Sequence, residues 1–180
     1  MICIVGSSGA GKSSIEKELV KKGYTNIVSY TSRSPRSIET NHKDYHFITK
    51  EDFIQKKKGG FFAETTLYND WLYGIAKEDV RDTAIAVVEI FGLRQLRKLL
   101  NENNIPFISF FIECPERTRL KRMVDRGDNL MEIFRRIFSD QGVFQGVAEE
   151  VSHVINNDRP IDETVNEIIG IINKTSLEAV

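Results

Sequence analysis

A glycine-rich segment near the start of the chain carries the strongest chemical signal in the sequence. It reads Gly6-Ser7-Ser8-Gly9-Ala10-Gly11-Lys12-Ser13 and matches G-x-x-x-x-G-K-[ST] at every fixed position. Glycines at this spacing let backbone N–H groups turn inward around phosphate oxygens, and the helix that follows adds the positive end of its dipole. The segment therefore predicts a site for a nucleoside triphosphate such as ATP or GTP. The alternative is a strand–helix turn that binds no ligand.

Two side chains of this loop have separate predicted tasks. Lys12 is expected to reach the β- and γ-phosphates, and the Ser13 hydroxyl is expected to bind Mg²⁺, which is the predicted cofactor. The predicted contacts of the triphosphate within this segment are Gly6, Ser7, Ser8, Gly9, Ala10, Gly11, Lys12, Ser13 and Ser14. The loop alone does not identify the group that accepts the phosphate.

A second basic segment offers a site for another phosphate. Arg33 and Arg36 flank a proline turn, and Tyr45 follows downstream. Arginine forks bind phosphate oxygens in pairs, and a tyrosine hydroxyl adds one more donor. These residues are expected to clamp the phosphate of an acceptor; the alternative is a pair of solvated loop arginines beside a packing tyrosine.

At these residues the chain resembles the guanylate kinase family. The family segment T-[TS]-R-x-x-R-x-x-E-x-x-x-x-D-Y-x-F is matched by Thr31-Ser32-Arg33 through Phe47, and the resemblance extends from the phosphate loop to Asn157-Asp158. It implies an enzyme that transfers the γ-phosphate of ATP to GMP or dGMP. We expect no nucleic-acid or membrane partner, and a monomer or a homodimer.

The resemblance also implies roles for individual residues. Arg33, Arg36 and Tyr45 would bind the GMP phosphate, Ser29 and Glu64 would read the guanine, and Tyr73 and Glu89 would lie in the acceptor site. Arg122, Arg126 and Arg136 would join Lys12 as catalytic residues around the transferring phosphoryl group. Asn157 would lie near the adenine of the donor.

The chemistry of guanine supports the role of Glu64. Guanine presents its N1–H and its N2 amine side by side, so one carboxylate accepts both hydrogen bonds. Adenine has no amine there and offers N1 as an acceptor, so it would leave the carboxylate unpaired and repelled. An unpaired buried polar group costs about 1–3 kcal/mol, and sites built this way reject analogues strongly.

Several positions depart from the family pattern. Ile75 stands where a Ser or Thr usually follows Tyr-Gly, and Val87 replaces the first of two acidic residues, which leaves Glu89 alone. His42 and Ser37-Ile38 replace common glycine and Pro-Gly residues. A kinase of the same fold with another monophosphate acceptor therefore remains an alternative, as does a non-catalytic binding module.

The elements that must position these residues follow an α/β pattern. Short apolar runs at 1–5, 84–88, 107–112 and 153–155 predict buried strands, and amphipathic stretches between them predict helices. We expect a P-loop NTPase-type parallel sheet flanked by helices, with its core at about 1–28, 76–125 and 137–180. We expect an inserted GMP-binding subdomain at about 29–75 and a short, mobile lid at about 126–136.

Helix limits and faces can also be predicted. A helix is expected over 13–22 with Gly23 at its C′ position, and Thr49 with Asp52 resembles a capping box. The pairs Leu130-Met131 and Ile133-Phe134 are expected to pack in the core.

Composition places the chain among ordinary soluble globular proteins. Its 180 residues suit one domain, its formal net charge is −1, and 41% of its residues are hydrophobic. The near-zero charge argues against a protein that coats nucleic acid. No apolar run approaches the roughly 20 residues that a bilayer requires, and no secretory signal is visible. Cys3 and Cys114 are expected to be reduced, which favours a cytoplasmic location.

Overall fold

The computed structural model describes residues 1–35, 39–68, 70–82 and 84–178. The strands, in chain order, are β1 (Ile2–Val5), β2 (Thr25–Asn26), β3 (Tyr30–Thr31), β4 (His46–Phe47), β5 (Phe62–Tyr68), β6 (Trp71–Ala76), β7 (Ala84–Val87), β8 (Ile108–Glu113) and β9 (His153–Asn156). The helices are α1 (Lys12–Lys21), α2 (Lys50–Lys58), α3 (Ile90–Glu102), α4 (Glu116–Asp125), α5 (Leu130–Asp140) and α6 (Ile161–Glu178). The predicted GMP contact Arg36 and the residues Ser37-Ile38 lie outside the described residues.

The chain divides into two compact units. The first comprises Met1–Ile2 and Thr25–Phe107, and the second comprises Cys3–Tyr24 with the described residues from Ile108 onward. The first unit contains a four-stranded sheet in the order β4-β3-β6-β5. In that sheet β3 runs parallel to β4 and antiparallel to β6, while β5 and β6 form an antiparallel hairpin. The unit also contains the parallel pair β2–β7, together with α2 and α3.

Aromatic packing fixes the hairpin of the first unit against α2. Phe62 of β5 stacks on Phe53 of α2 with ring centroids 4.3 Å apart. Gly74 of β6 lies at this contact, where a Cβ would come within 3.0 Å of the Phe53 ring. As predicted, Thr49 caps α2: its hydroxyl oxygen accepts the Asp52 N–H at 3.1 Å. The hairpin carries Glu64 on β5 and Tyr73 on β6.

The second unit consists of the strands β1, β8 and β9, in that order, with α1, α4, α5 and α6. Strands β8 and β9 run parallel in the register Phe110↔His153 to Glu113↔Asn156. Helix α1 ends in a Schellman motif, since Tyr24 donates to the Leu19 carbonyl and Gly23 donates to that of Val20. Gly23 has φ 99°, the left-handed conformation predicted for it. Apolar side chains fill the core of this unit: Ile4, Ile15, Leu19, Phe110, Ile112, Met123, Ile155 and Ile168.

The prediction of an α/β fold with parallel strands flanked by helices is confirmed. The strands β1, β7, β8 and β9 begin and end within about one residue of the predicted apolar runs, and β1 is buried along its whole length.

Helix α5 corrects one packing prediction. Ile133 is buried, but Leu130, Met131 and Phe134 are 59%, 74% and 48% exposed. The physical reason is that the buried face of α5 carries Ile133 and Arg136, whereas the other three side chains lie on different faces of the helix. The segment predicted as a lid at 126–136 forms a turn over 126–129 and the first two turns of α5.

Within the described parts of the chain, no helix combines the length and apolar character that crossing a bilayer requires.

Candidate functional site

The glycine-rich loop of the second unit adopts the conformation that its sequence predicts. Ala10 donates to the Ser7 carbonyl at 3.1 Å, which closes a turn around Ser8 and Gly9. Gly9 and Gly11 have φ 78° and 99°, which L residues rarely adopt. A Cβ on Gly9 would lie 2.7 Å from the Arg119 carbonyl oxygen, so the loop lies directly against α4. Only glycine satisfies both the conformation and the space at this position.

Lys12 begins the helix that follows the loop. Its Nζ donates to the carbonyl oxygen of Gly6 and, at 3.3 Å, to that of Ser7. The ammonium group therefore lies over the loop that the sequence predicts to hold phosphates. Ser13 and Ser14 follow in the first turn of α1, and both are exposed. The N-terminus of α1 thus presents two hydroxyl groups beside the loop.

A pocket of about 380 Å³ adjoins this loop within the second unit. Its lining includes Gly11, Ser14, Lys17, Arg122, Asn157 and Arg159. The Asn157 side chain is buried: its Nδ2 donates to the Ala10 carbonyl at 2.7 Å, and its Oδ1 accepts the Thr164 hydroxyl at 2.9 Å. Asn157 therefore joins the loop to α6 while also lining the pocket.

Arg122 lies at the same loop. It donates to the carbonyl oxygens of Ala10, at 3.3 Å, and Asn157, at 2.7 Å. It also contacts the Cys114 sulfur at 3.4 Å. These contacts place a guanidinium group at the C-terminal side of the phosphate loop.

Arg126 and Arg136 are held together by acidic residues. Both guanidinium groups bind the Asp128 carboxylate, Arg136 at 3.0 Å. Arg136 also binds Glu132 at 2.9 Å and is almost fully buried. The hydrogen bond from Arg135 is the largest cause that lowers the pKa of Glu132 to about 2, and Arg136 adds to it. The structure thus pairs two of the three predicted catalytic arginines with each other through Asp128.

The predicted acceptor residues of the first unit form an aromatic and basic cluster. Arg33 is buried, and Glu39 binds its two terminal nitrogens at 2.8 and 2.9 Å. Its guanidinium carbon lies 5.5 Å from the Tyr45 ring centroid, and the Tyr45 and Tyr73 rings are 6.0 Å apart. Among the described residues, Nε of Arg33 has no hydrogen-bond partner.

Glu64 is a buried carboxylate in the same unit, with 5% of its surface exposed. Thr66 donates its hydroxyl to Oε2 at 3.2 Å, and the backbone of Ile75 also hydrogen-bonds the carboxylate. Burial raises the pKa of Glu64 to about 7, and the charge of Glu89 adds to this rise. A Cβ on Gly92 of α3 would lie 2.8 Å from Oε2, so α3 closes tightly over the carboxylate.

Two further predicted residues of the first unit have defined positions. Ser29 precedes β3, and its carbonyl accepts the His46 N–H at 2.9 Å. Glu89 is the N-cap residue of α3. The charge of Glu89 lies close enough to Glu64 to raise its pKa further, so two predicted acceptor residues lie near each other.

Sequence reasoning did not identify the partners of these groups. Glu132 could have been found, because its E-x-x-x-R spacing to Arg136 places opposite charges on adjacent turns of one helix. Asp128 lies in the turn before α5, where this spacing rule does not apply. Glu39, Thr66, Arg119 and Asp140 gave no comparable signal, because their contacts are set by tertiary structure or by loop conformation.

Comparisons with known proteins give a consistent result. The family model described as guanylate kinase matches residues 1–175. A guanylate kinase of Wolbachia pipientis wMel is 32% identical, with 99% of this chain and 91% of the relative covered. One from Aster yellows witches'-broom phytoplasma (strain AYWB) is 30% identical, with 96% and 84% covered. A crystal structure of guanylate kinase from Anaplasma phagocytophilum matches with a TM-score of 0.72 at 22% identity, covering 97% and 85%. At that identity the structural match bears on the fold alone.

Proposed function

The chain belongs to the guanylate kinase family, whose activity is transfer of the γ-phosphate of ATP to GMP, and we propose that the residues described above perform this transfer on GMP or dGMP. The observation that carries the guanine assignment is the buried carboxylate of Glu64 between Thr66 and Ile75. A phosphate loop alone is compatible with many acceptors, whereas a buried carboxylate matches the paired donors of guanine.

The donor site is proposed on the second unit. The loop N–H groups and Lys12 would bind the triphosphate, and the pocket lined by Asn157 and Arg159 would receive the rest of ATP. Mg²⁺ binds one or two protein oxygens and otherwise phosphate and water oxygens, so the exposed Ser13 hydroxyl fits as its protein ligand. The ion would supply charge neutralisation at the phosphates.

The acceptor site is proposed on the first unit. Arg33, Arg36 and Tyr45 would bind the GMP phosphate, with Tyr73 beside Tyr45. Glu39 holds the Arg33 guanidinium in a fixed plane, which reduces the rotamer entropy lost when a phosphate binds. Glu64 would accept the guanine N1–H and N2 amine, with Ser29 and Glu89 nearby in the base site.

Catalysis would consist of positioning and charge stabilisation. The acceptor phosphate is already anionic, so the reaction needs no strong general base. Lys12, Arg122, Arg126 and Arg136 would stabilise the charge on the transferring phosphoryl group. For Arg126 and Arg136 this requires a change of partner from the carboxylates of Asp128 and Glu132 to phosphate oxygens. Exclusion of water would protect ATP from hydrolysis, which is the proposed task of the segment 126–136.

We also propose a cytoplasmic location, the substrates and the oligomeric state. Both cysteines are free thiols, which suits a reducing cytoplasm. ATP and GMP or dGMP are the proposed substrates, with a monomer or a homodimer as the working form.

An acceptor panel tests the proposed function. ADP formation from Mg-ATP is measured with GMP, dGMP, AMP, CMP, UMP, dTMP and no acceptor. We expect rapid turnover with GMP or dGMP and background rates with the others, because only guanine pairs both donors with Glu64. Turnover with another monophosphate would instead assign a different base and point to Ile75 and Val87. ATP binding without turnover on any acceptor would favour a binding module.

The acceptor phosphate site gives a second prediction. Arg33→Lys should raise KM for GMP about tenfold and leave KM for ATP unchanged, since an ammonium group does not reproduce the planar fork of guanidinium. Initial-rate kinetics with each substrate varied in turn measure both constants. Arg81→Lys, at an exposed position of the same unit, is the matched control. An equal rise of both KM values would contradict a role confined to the acceptor.

A further inference from the structure

The peptide groups around Ser8 in the phosphate loop are bound by two side chains from distant parts of the second unit. Asp140, the last residue of α5, accepts the Ser8 N–H at 2.7 Å. Arg119 of α4 donates to the Ser8 carbonyl oxygen at 3.2 Å. The two side chains also pair with each other at 3.5 Å. Together they form a closed network with the turn of the loop.

The position of Asp140 is unfavourable without these contacts. A carboxylate at the C-terminus of a helix meets the negative end of the helix dipole. The Asp140 side chain is only 8% exposed and that of Arg119 is 11% exposed, so both charges are largely removed from water. Groups buried in this way need hydrogen-bonded partners. Asp140 finds them in Arg119 and in the Ser8 N–H.

The Arg119 contact has a geometric consequence for Gly9. Ser8 and Gly9 are the central residues of the turn that the Ala10–Ser7 hydrogen bond closes, so the Ser8 carbonyl belongs to the central peptide of that turn. A trans peptide is planar, and its N–H points opposite to its C=O. Fixing the Ser8 carbonyl on Arg119 therefore also fixes the Gly9 N–H, which points away from α4. A free turn would allow this peptide to flip, because Gly9 tolerates several backbone conformations.

We propose that Arg119 and Asp140 are positioning residues that hold the Ser8–Gly9 peptide so that the Gly9 N–H is presented to a donor phosphate. This inference rests on the proposed ATP site and adds two residues that do not themselves contact the nucleotide. It gives a role to the contacts that α4 and the end of α5 make with Ser8.

Direct ADP binding and steady-state kinetics test the pair. Asp140→Ala and Arg119→Met should each weaken ADP binding, measured by calorimetry, about tenfold, since a hydrogen bond to a charged group is lost. KM for ATP should rise by a similar factor, and KM for GMP should stay unchanged. Asp140→Asn keeps an acceptor for the Ser8 N–H, so it should weaken ADP binding less than Asp140→Ala does. Glu116→Gln, which changes the exposed carboxylate 3.8 Å from Arg119, is the control and should bind ADP normally.

The double variant decides the interpretation, and melting temperatures show whether each variant is folded. Arg119→Met with Asp140→Ala should weaken binding little more than either single change, because both remove one network. Unchanged ADP affinity in folded single variants would overturn the proposal, since the pair would then only stabilise the fold. Tighter binding in Asp140→Ala would also overturn it, because Asp140 would then compete with phosphate for the loop. Failure of the wild-type protein to bind ADP would instead refute the proposed ATP site.

Discussion

Replacing Lys12 with methionine should lower kcat for phosphoryl transfer by about 10³-fold. The expected loss is large because the ammonium group would stabilise charge that develops in the transition state. Methionine keeps the length and much of the packing of the lysine stem, so the change removes the charge with little disturbance of α1. The two loop carbonyls that Lys12 binds belong to Gly6, which is buried, and Ser7, which is half-buried.

The Lys12 experiment compares kcat with nucleotide affinity. ADP production is followed at saturating ATP and GMP, and ADP binding is measured separately by calorimetry. Lys22→Met, at an exposed position just after α1, controls for the loss of a lysine from the same segment. A proportionate fall of kcat in both variants would contradict a specific role for Lys12. A loss in ADP binding alone, with kcat preserved, would limit Lys12 to binding.

The phosphate loop was the part of the site most predictable from sequence, because local conformation determines it. Gly9 and Gly11 adopt positive φ, and a helix begins directly at Lys12. These features depend on residues adjacent in sequence. The capped start of α2 and the Schellman motif at Gly23 were predictable for the same reason.

Long-range contacts were not predictable in this way. Ser8 and Asp140 are 132 positions apart, and even Arg33 and Glu39, six positions apart, follow no local pattern that specifies their contact. The sequence identifies charged residues that need partners but leaves several acidic residues available for each arginine. The tertiary structure determines which acidic residue pairs with each arginine.

Helix α5 shows a different limit of sequence reasoning. Its apolar residues at helical spacing correctly predicted a helix, but apolar character does not establish that a partner surface covers each face. Leu130, Met131 and Phe134 are exposed, whereas Arg136 is buried because Asp128 and Glu132 neutralise it. A paired arginine can therefore occupy a position that hydrophobicity alone would assign to a neighbouring phenylalanine.

Glu64→Gln should separate the function of this carboxylate from its effect on stability. The variant should lose about 10²-fold or more in kcat/KM for GMP, because an amide accepts from guanine less strongly and points its NH₂ group at one of the two guanine donors. In the wild-type protein, kcat/KM for GMP should fall about tenfold per pH unit as the pH drops below about 7, where Glu64 becomes protonated. The pH profile of the variant should lack this step.

Thr66→Val provides a check on the same titration. The Thr66 hydroxyl stabilises the charged form of Glu64, so its removal should move the step in the GMP pH profile to higher pH. Thr65→Val, at the adjacent half-buried position, should leave the step where it is. Identical profiles for Thr66→Val and the wild-type protein would contradict control of the guanine site by this hydrogen bond.

As the pH rises, the free energy of unfolding of the ligand-free protein should fall, whereas kcat/KM for GMP should rise. Glu64 has its pKa raised from 4.5 to about 7 by folding, so between these values the folded protein binds more protons than the unfolded chain. Its free energy of unfolding should therefore fall as the pH rises from about 4.5 to 7, and the penalty should persist above 7. An amide carries no charge, so Glu64→Gln should raise the free energy of unfolding at pH 8 by on the order of 3 kcal/mol, with little gain at pH 4.5. Urea unfolding at both pH values measures this difference. A variant less stable than wild type at pH 8 would show that the carboxylate is paired in the ligand-free protein rather than held ready for guanine.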